Sequence, residues 1–133
     1  MKQMLLRNLL LLDAAVLLAL GGLLIIVPQQ VELVFGFRDL PAGVSYIVGL
    51  WGCALATMAI GYAAASRDPV RHVAWVQVGI ARGALECIVG AFYLARGIVT
   101  FQQAGFGIGI AAFITVAYIV LYPREPSRAA AAR

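Results

Sequence analysis

The sequence predicts an all-α integral membrane protein, a bundle of four spanning helices with the N and C termini both cytoplasmic. Three observations carry this reading: four apolar stretches of spanning length, basic residues gathered on one side of them, and tyrosines near their ends. A membrane-spanning helix needs about 20 mostly apolar residues. The stretches at about 5–27, 44–65, 73–94 and 98–121 each meet that length. The first stops at Pro28, the second before Ser66-Arg67-Asp68-Pro69, and the fourth before Pro123. Proline and charge are the usual punctuation of helix ends. The boundary between the third and fourth spans has two candidate turns, Arg96-Gly97 and Gln102-Gln103-Ala104-Gly105.

If the spans alternate, Lys2, Arg7, Arg67, Arg71, Arg124, Arg128 and Arg133 share one side, and the other side holds only Arg38 and Arg96. The excess of Lys and Arg in cytoplasmic segments then orients the chain. Tyr46, Tyr62, Tyr93, Tyr118 and Tyr122 fall near span ends, the depth at which amphipathic rings sit in a bilayer. Residues 1–123 thus read as one transmembrane domain and 124–133 as a short polar cytoplasmic tail. The basic start and the small residues Ala19 and Gly21 give the first span some likeness to a cleaved signal peptide. Asp13 interrupts its apolar run, however, and the run continues through Ile26, so it reads as a span.

Composition narrows the function. Among 133 residues, 63% are hydrophobic and 12% charged, against about 45–50% and about 25% in soluble domains. Mean hydropathy is +0.95. These values exclude a disordered chain, a nucleic-acid-binding module and nearly any soluble enzyme. The net charge of +4 is explained by the cytoplasmic basic residues. The Arg, Ala and Gly bias suggests a bacterial source, and hence the inner membrane. Cys53 and Cys87 form no C-x-x-C pair, and His72 is the one histidine, so the sequence offers no metal or cofactor constellation. The partners it implies are the lipid bilayer and either a second copy of the chain or a partner membrane protein.

Helices in lipid associate through close backbone contact and polar groups. The second span carries a small residue at every fourth position, Ser45, Gly49, Cys53, Thr57, Gly61 and Ala65; the third carries Gly79, Gly83 and Gly90, and the fourth Gly105 and Gly109. These are the expected packing positions. Three ionisable residues lie inside spans: Asp13, Arg82 and Glu86. Each costs about 2.5–3.5 kcal/mol at the bilayer centre and so needs a reason. Arg82 and Glu86 are one turn apart and share a helix face. At a rise of about 1.5 Å per residue, Asp13, Arg82 and Thr57 fall at a common depth of roughly 12–14 Å, with Thr115 slightly shallower and Glu86 one turn further out. An inward polar cluster of Asp13, Arg82, Glu86, Thr57 and Thr115 is expected. Either it locks the bundle or it serves transport.

The loop after the first span, PQQVELVFGFRDLPA, is apolar enough for a short interfacial helix. The other reading makes it a lid over a cavity. Trp51 reads as a packing residue, Trp75 as a membrane-interface residue, and Arg67-Asp68-Pro69 as a tight turn with local charge pairing. At an offset of 73, Leu12-Asp13 matches Leu85-Glu86 and Gln29-Gln30 matches Gln102-Gln103, a hint of two parallel two-helix units.

Asp13 in a leucine-rich first span, Pro28 closing it, the Phe35-Gly36-Phe37 loop and the Arg67-Asp68-Pro69 turn together resemble small four-span bacterial membrane proteins of the BphX-like kind. The resemblance covers most of the chain. It implies the four-span layout, and membership among the small companions found in catabolic gene clusters. It carries no chemistry. The expected function is therefore a non-enzymatic accessory or scaffold component, which predicts an outward-facing stripe of small residues. The alternative is a small proton- or cation-coupled transporter using Asp13, Arg82 and Glu86, which predicts a cavity reaching Glu86.

Overall fold

The computed structural model describes residues 1–37 and 41–123. Five helices follow in order: α1 (Lys2–Ile26), α2 (Pro28–Val34), α3 (Ala42–Ala65), α4 (Val73–Ala95) and α5 (Phe101–Leu121). No strand occurs among the described residues. The four long helices are each long and apolar enough to cross a membrane, and their ends lie within a few residues of the predicted spans. Arg38 and the tail at 124–133, with Arg124, Arg128 and Arg133, lie outside the described residues.

The connections follow from local chemistry. Pro28 cannot continue α1, and the chain re-enters helix at once as α2. Asp68 closes the α3–α4 turn by accepting the Arg71 backbone N–H at 3.1 Å and, through its carbonyl, the His72 N–H at 3.1 Å. The carboxylate thus binds backbone where charge pairing was expected. Between α4 and α5, Gly97 takes φ +67°. The Gly97 N–H donates to the Leu94 carbonyl at 3.0 Å and the Ile98 N–H to the Tyr93 carbonyl at 3.1 Å, a Schellman ending. Thr100 and Gln103 then form a capping box that starts α5. Arg96-Gly97 is therefore the turn, and Gln102–Gly105 belongs to the helix.

The long helices form two antiparallel hairpins, α1 with α3 and α4 with α5. The hairpins meet chiefly along α1 and α5. Their shared core lies at one end of the bundle, where Leu6, Leu10 and Ala14 of α1 pack with Tyr62 and Ala65 of α3, Val76 of α4 and Tyr118 of α5. Lys2 and the end of α5 line one pocket there, and the α3–α4 turn with Arg67 and Arg71 lies at the same end. An offset of 73 sets α5 against 28–48, which holds α2, the segment after it and only the first seven residues of α3. The hairpins are therefore not copies at that offset.

Backbone contact within α1–α3 occurs at Gly21 and Gly52. A Cβ on Gly21 would stand 2.7 Å from the Gly52 carbonyl oxygen and 3.0 Å from the Ala56 nitrogen. The predicted ladder on α3 is not this face. Cys53 and Thr57 are exposed, Ser45 and Gly49 are half-buried, and Gly61 is covered by the Trp75 ring. The contact face is Gly52, Leu55, Ala56 and Ala59, rotated by one residue, which is about 100° of helix. On α4, Gly79 lies under the Tyr118 ring and Gly83 against Thr115 and the Ala111 carbonyl, as small contact residues should. Gly90 meets Ile108. On α5 the expectation fails: Gly109 faces open space, and Gly105 meets Phe101 of its own helix.

Candidate functional site

Asp13 is the buried acid at the junction of the hairpins, its side chain only 1% exposed. One terminal nitrogen of Arg82, Nη2, donates to both carboxylate oxygens, at 2.9 Å and 3.1 Å. The Tyr118 hydroxyl donates to Oδ2 at 2.9 Å. Charge-assisted bonds of this kind are the strong ones, and together they join α1 to both helices of the other hairpin. Arg82 also stands over the Tyr62 ring, 5.5 Å from its centroid, within the range of a cation–π contact. Tyr62 in turn stacks on Tyr118, with ring centroids 6.3 Å apart. Two aromatic rings and an ion pair thus form one continuous layer across the bundle.

Glu86 is placed differently. Its carboxylate lies 3.7 Å from Arg82 Nε, an ion pair beyond hydrogen-bond reach, and its side chain is 45% exposed. Among the described residues, Arg82 Nε and Nη1 and the Tyr62 hydroxyl are buried without a hydrogen-bond partner. The Asp13–Arg82–Glu86 group therefore divides into a buried pair and an outlying carboxylate.

Above this layer the hairpins border a half-open cleft of about 670 Å³. Asp13, Arg82 and Glu86 are its ionisable lining residues. Its walls are apolar: Leu17 and Leu20 of α1, Trp51 and Leu55 of α3, Val89 of α4, and Ile108 and Ala111 of α5. Phe35, just after α2, also lines it. The Gln103 side chain donates to the Gly36 carbonyl at 3.3 Å and ties that segment to α5. The segment is thus helical, as one reading had it, and contributes to a cavity wall, as the other required.

Three expectations are corrected. Thr57 is exposed and donates to its own helix at the Ala54 carbonyl, 2.8 Å away, so it does not join the polar layer. Thr115 donates to the Ala111 carbonyl at 2.7 Å and makes no bond to the charged residues. Tyr62 and Tyr118 are fully buried rather than at an interface. The tryptophans differ from expectation as well: Trp75 packs edge-on against Tyr62, with centroids 5.5 Å apart, and Trp51 is 53% exposed beside the cleft. Gln77 donates to the Tyr122 hydroxyl at 2.8 Å, away from the layer.

Backbone depth alone leaves Tyr62 and Tyr118 near the helix ends. Side chains lean toward the N-terminus of their own helix. α3 and α5 both run toward the closed end, so Tyr62 and Tyr118 lean back to the level of Asp13. Direction of travel and side-chain length, both readable in the sequence, were the available signal. No family model matches the chain, and neither a curated protein nor a solved structure is similar to it.

Proposed function

We propose that the chain is a multi-pass protein of a bacterial inner membrane, with both termini cytoplasmic, whose cleft holds a lipophilic small molecule. In this reading it is a non-enzymatic accessory component, and its BphX-like layout belongs to the same proposal. The observation that carries it is the cleft itself, a space of about 670 Å³ with apolar walls and a charged floor. Ligand sites of small molecules are commonly clefts of about 300–1,000 Å³ with few polar groups. The basic residues Lys2, Arg7, Arg67 and Arg71 at one end support the orientation. Asp13, engaged by Arg82 and Tyr118, supports a structural rather than catalytic role for the buried pair. The exposed Cys53 and Thr57 face of α3 is where a second copy or a partner membrane protein would meet the chain.

A second reading, cation- or proton-coupled transport, is favoured by one feature: Glu86 is a half-exposed carboxylate in the cleft. The test of the first reading is the native mass of the protein extracted from its own membranes in mild detergent. The chain is expected to carry a retained lipophilic molecule. A bare chain would contradict the proposal, and one carrying only a partner protein would contradict the ligand while keeping the accessory reading.

A further inference from the structure

We infer that the cleft selects a lipophilic organic monocation, recognised by Glu86 and by the aromatic residues of the walls. This rests on the reading of the cleft as a ligand site and adds the chemical class of the ligand. Charge complementarity is the first argument. One terminal nitrogen of Arg82 binds Asp13 at hydrogen-bond distance, while Glu86 stands 3.7 Å from Nε and is 45% exposed. The carboxylate open to the cleft is thus the one held by no hydrogen bond, and the formal charge of the lining, with all three groups ionised, is one negative. An anion entering here would meet that charge in apolar surroundings, where repulsion is poorly screened. A cation would be paired.

The walls supply the second argument. Phe35, Trp51 and Phe106 line the cleft on three different segments of the chain. Aromatic faces attract organic cations, most strongly when the cation is desolvated. A strongly hydrated inorganic ion would gain little from such walls and would lose its water, whereas an organic cation with an apolar body keeps both kinds of contact. The volume of about 670 Å³ leaves room for that body.

The experiment uses two probes of matched shape and opposite charge, tetraphenylphosphonium and tetraphenylborate, in equilibrium dialysis with the detergent-solubilised full chain. Saturable binding of the phosphonium, with the borate at least about 10-fold weaker, is expected. Glu86→Gln should weaken phosphonium binding at least about 10-fold, equivalent to about 1.4 kcal/mol, while the protein stays folded, because Glu86 is half exposed. Gly107→Phe serves as the second variant. Gly107 lines the cleft and a Cβ there meets nothing within 4 Å, so the position admits a side chain that would narrow the cleft. It should abolish binding.

Phosphonium binding unchanged in Glu86→Gln, no saturable phosphonium binding at all, or tighter binding of the borate would each overturn the cation inference. If either probe is still displaced by Gly107→Phe in those cases, the cleft reading survives. Binding unaffected by Gly107→Phe would remove the cleft as the site, and with it both proposals.

Discussion

Arg82→Ala is expected to lower the stability of the folded bundle by about 3–5 kcal/mol, the loss typical of breaking a buried ion pair from one side. The cause is the acid left behind. Asp13 is 1% exposed and would keep the Tyr118 hydroxyl as its one hydrogen-bond donor. The cation over the Tyr62 ring would go as well. Thermal or denaturant unfolding in detergent reads the effect directly. Glu86→Gln is the matched control. Its carboxylate stands 3.7 Å from Arg82 with its side chain 45% exposed, so its loss should cost clearly less than the loss of Arg82. Comparable losses in the two variants would contradict the division of the cluster into a lock and a ligand group.

Gly52→Val should be the next most damaging substitution, and for a steric reason. A Cβ at Gly52 would stand 2.8 Å from the Gly21 carbonyl oxygen, 2.9 Å from Leu24 Cβ and 3.0 Å from Ile25 Cγ1. Two of these three neighbours cannot yield by a rotamer change, because a backbone oxygen and a Cβ move only with their helix. α1 and α3 must therefore part, exposing Leu24 and Leu55, which are 2% and 3% exposed. Overpacking of this kind costs about 1–3 kcal/mol, and the added branching of Val places the cost at the upper end. Gly22→Val is the control one residue along the partner helix, where a Cβ meets nothing within 4 Å. It should be close to neutral in the same unfolding measurement. Equal effects at the two positions would contradict the contact face.

These two sites show what the sequence made legible. The four long helices were readable because spanning length, proline stops and charge segregation are properties of each segment alone. The pairing of Asp13 with Arg82 was also readable, because a charge amid apolar residues demands a partner and few were on offer. The face of α3 that meets α1 was not. Gly49, Cys53, Thr57 and Gly61 form as regular a ladder as Gly52, Ala56 and Ala59, and only the partner helix chooses between stripes about 100° apart. Thr57 was drawn into the polar layer by the same choice of face. A cavity reaching Glu86 was among the expectations, but its apolar walls and its extent were not readable, for a related reason. It arises from where two hairpins fail to touch, and neither hairpin records that in its own residues.

The division of labour within the cluster rests on the claim that Asp13 and Arg82 hold the hairpins together as a pair. A double-mutant cycle over Asp13→Asn and Arg82→Gln, read by unfolding of the full chain in detergent, isolates that pairwise contribution. A coupling energy of about 2–3 kcal/mol, at the upper end for residues in direct contact, is expected, with the double variant more stable than the Arg82→Gln single. Effects that add within about 0.5 kcal/mol, as they do for residues that do not interact, would contradict it.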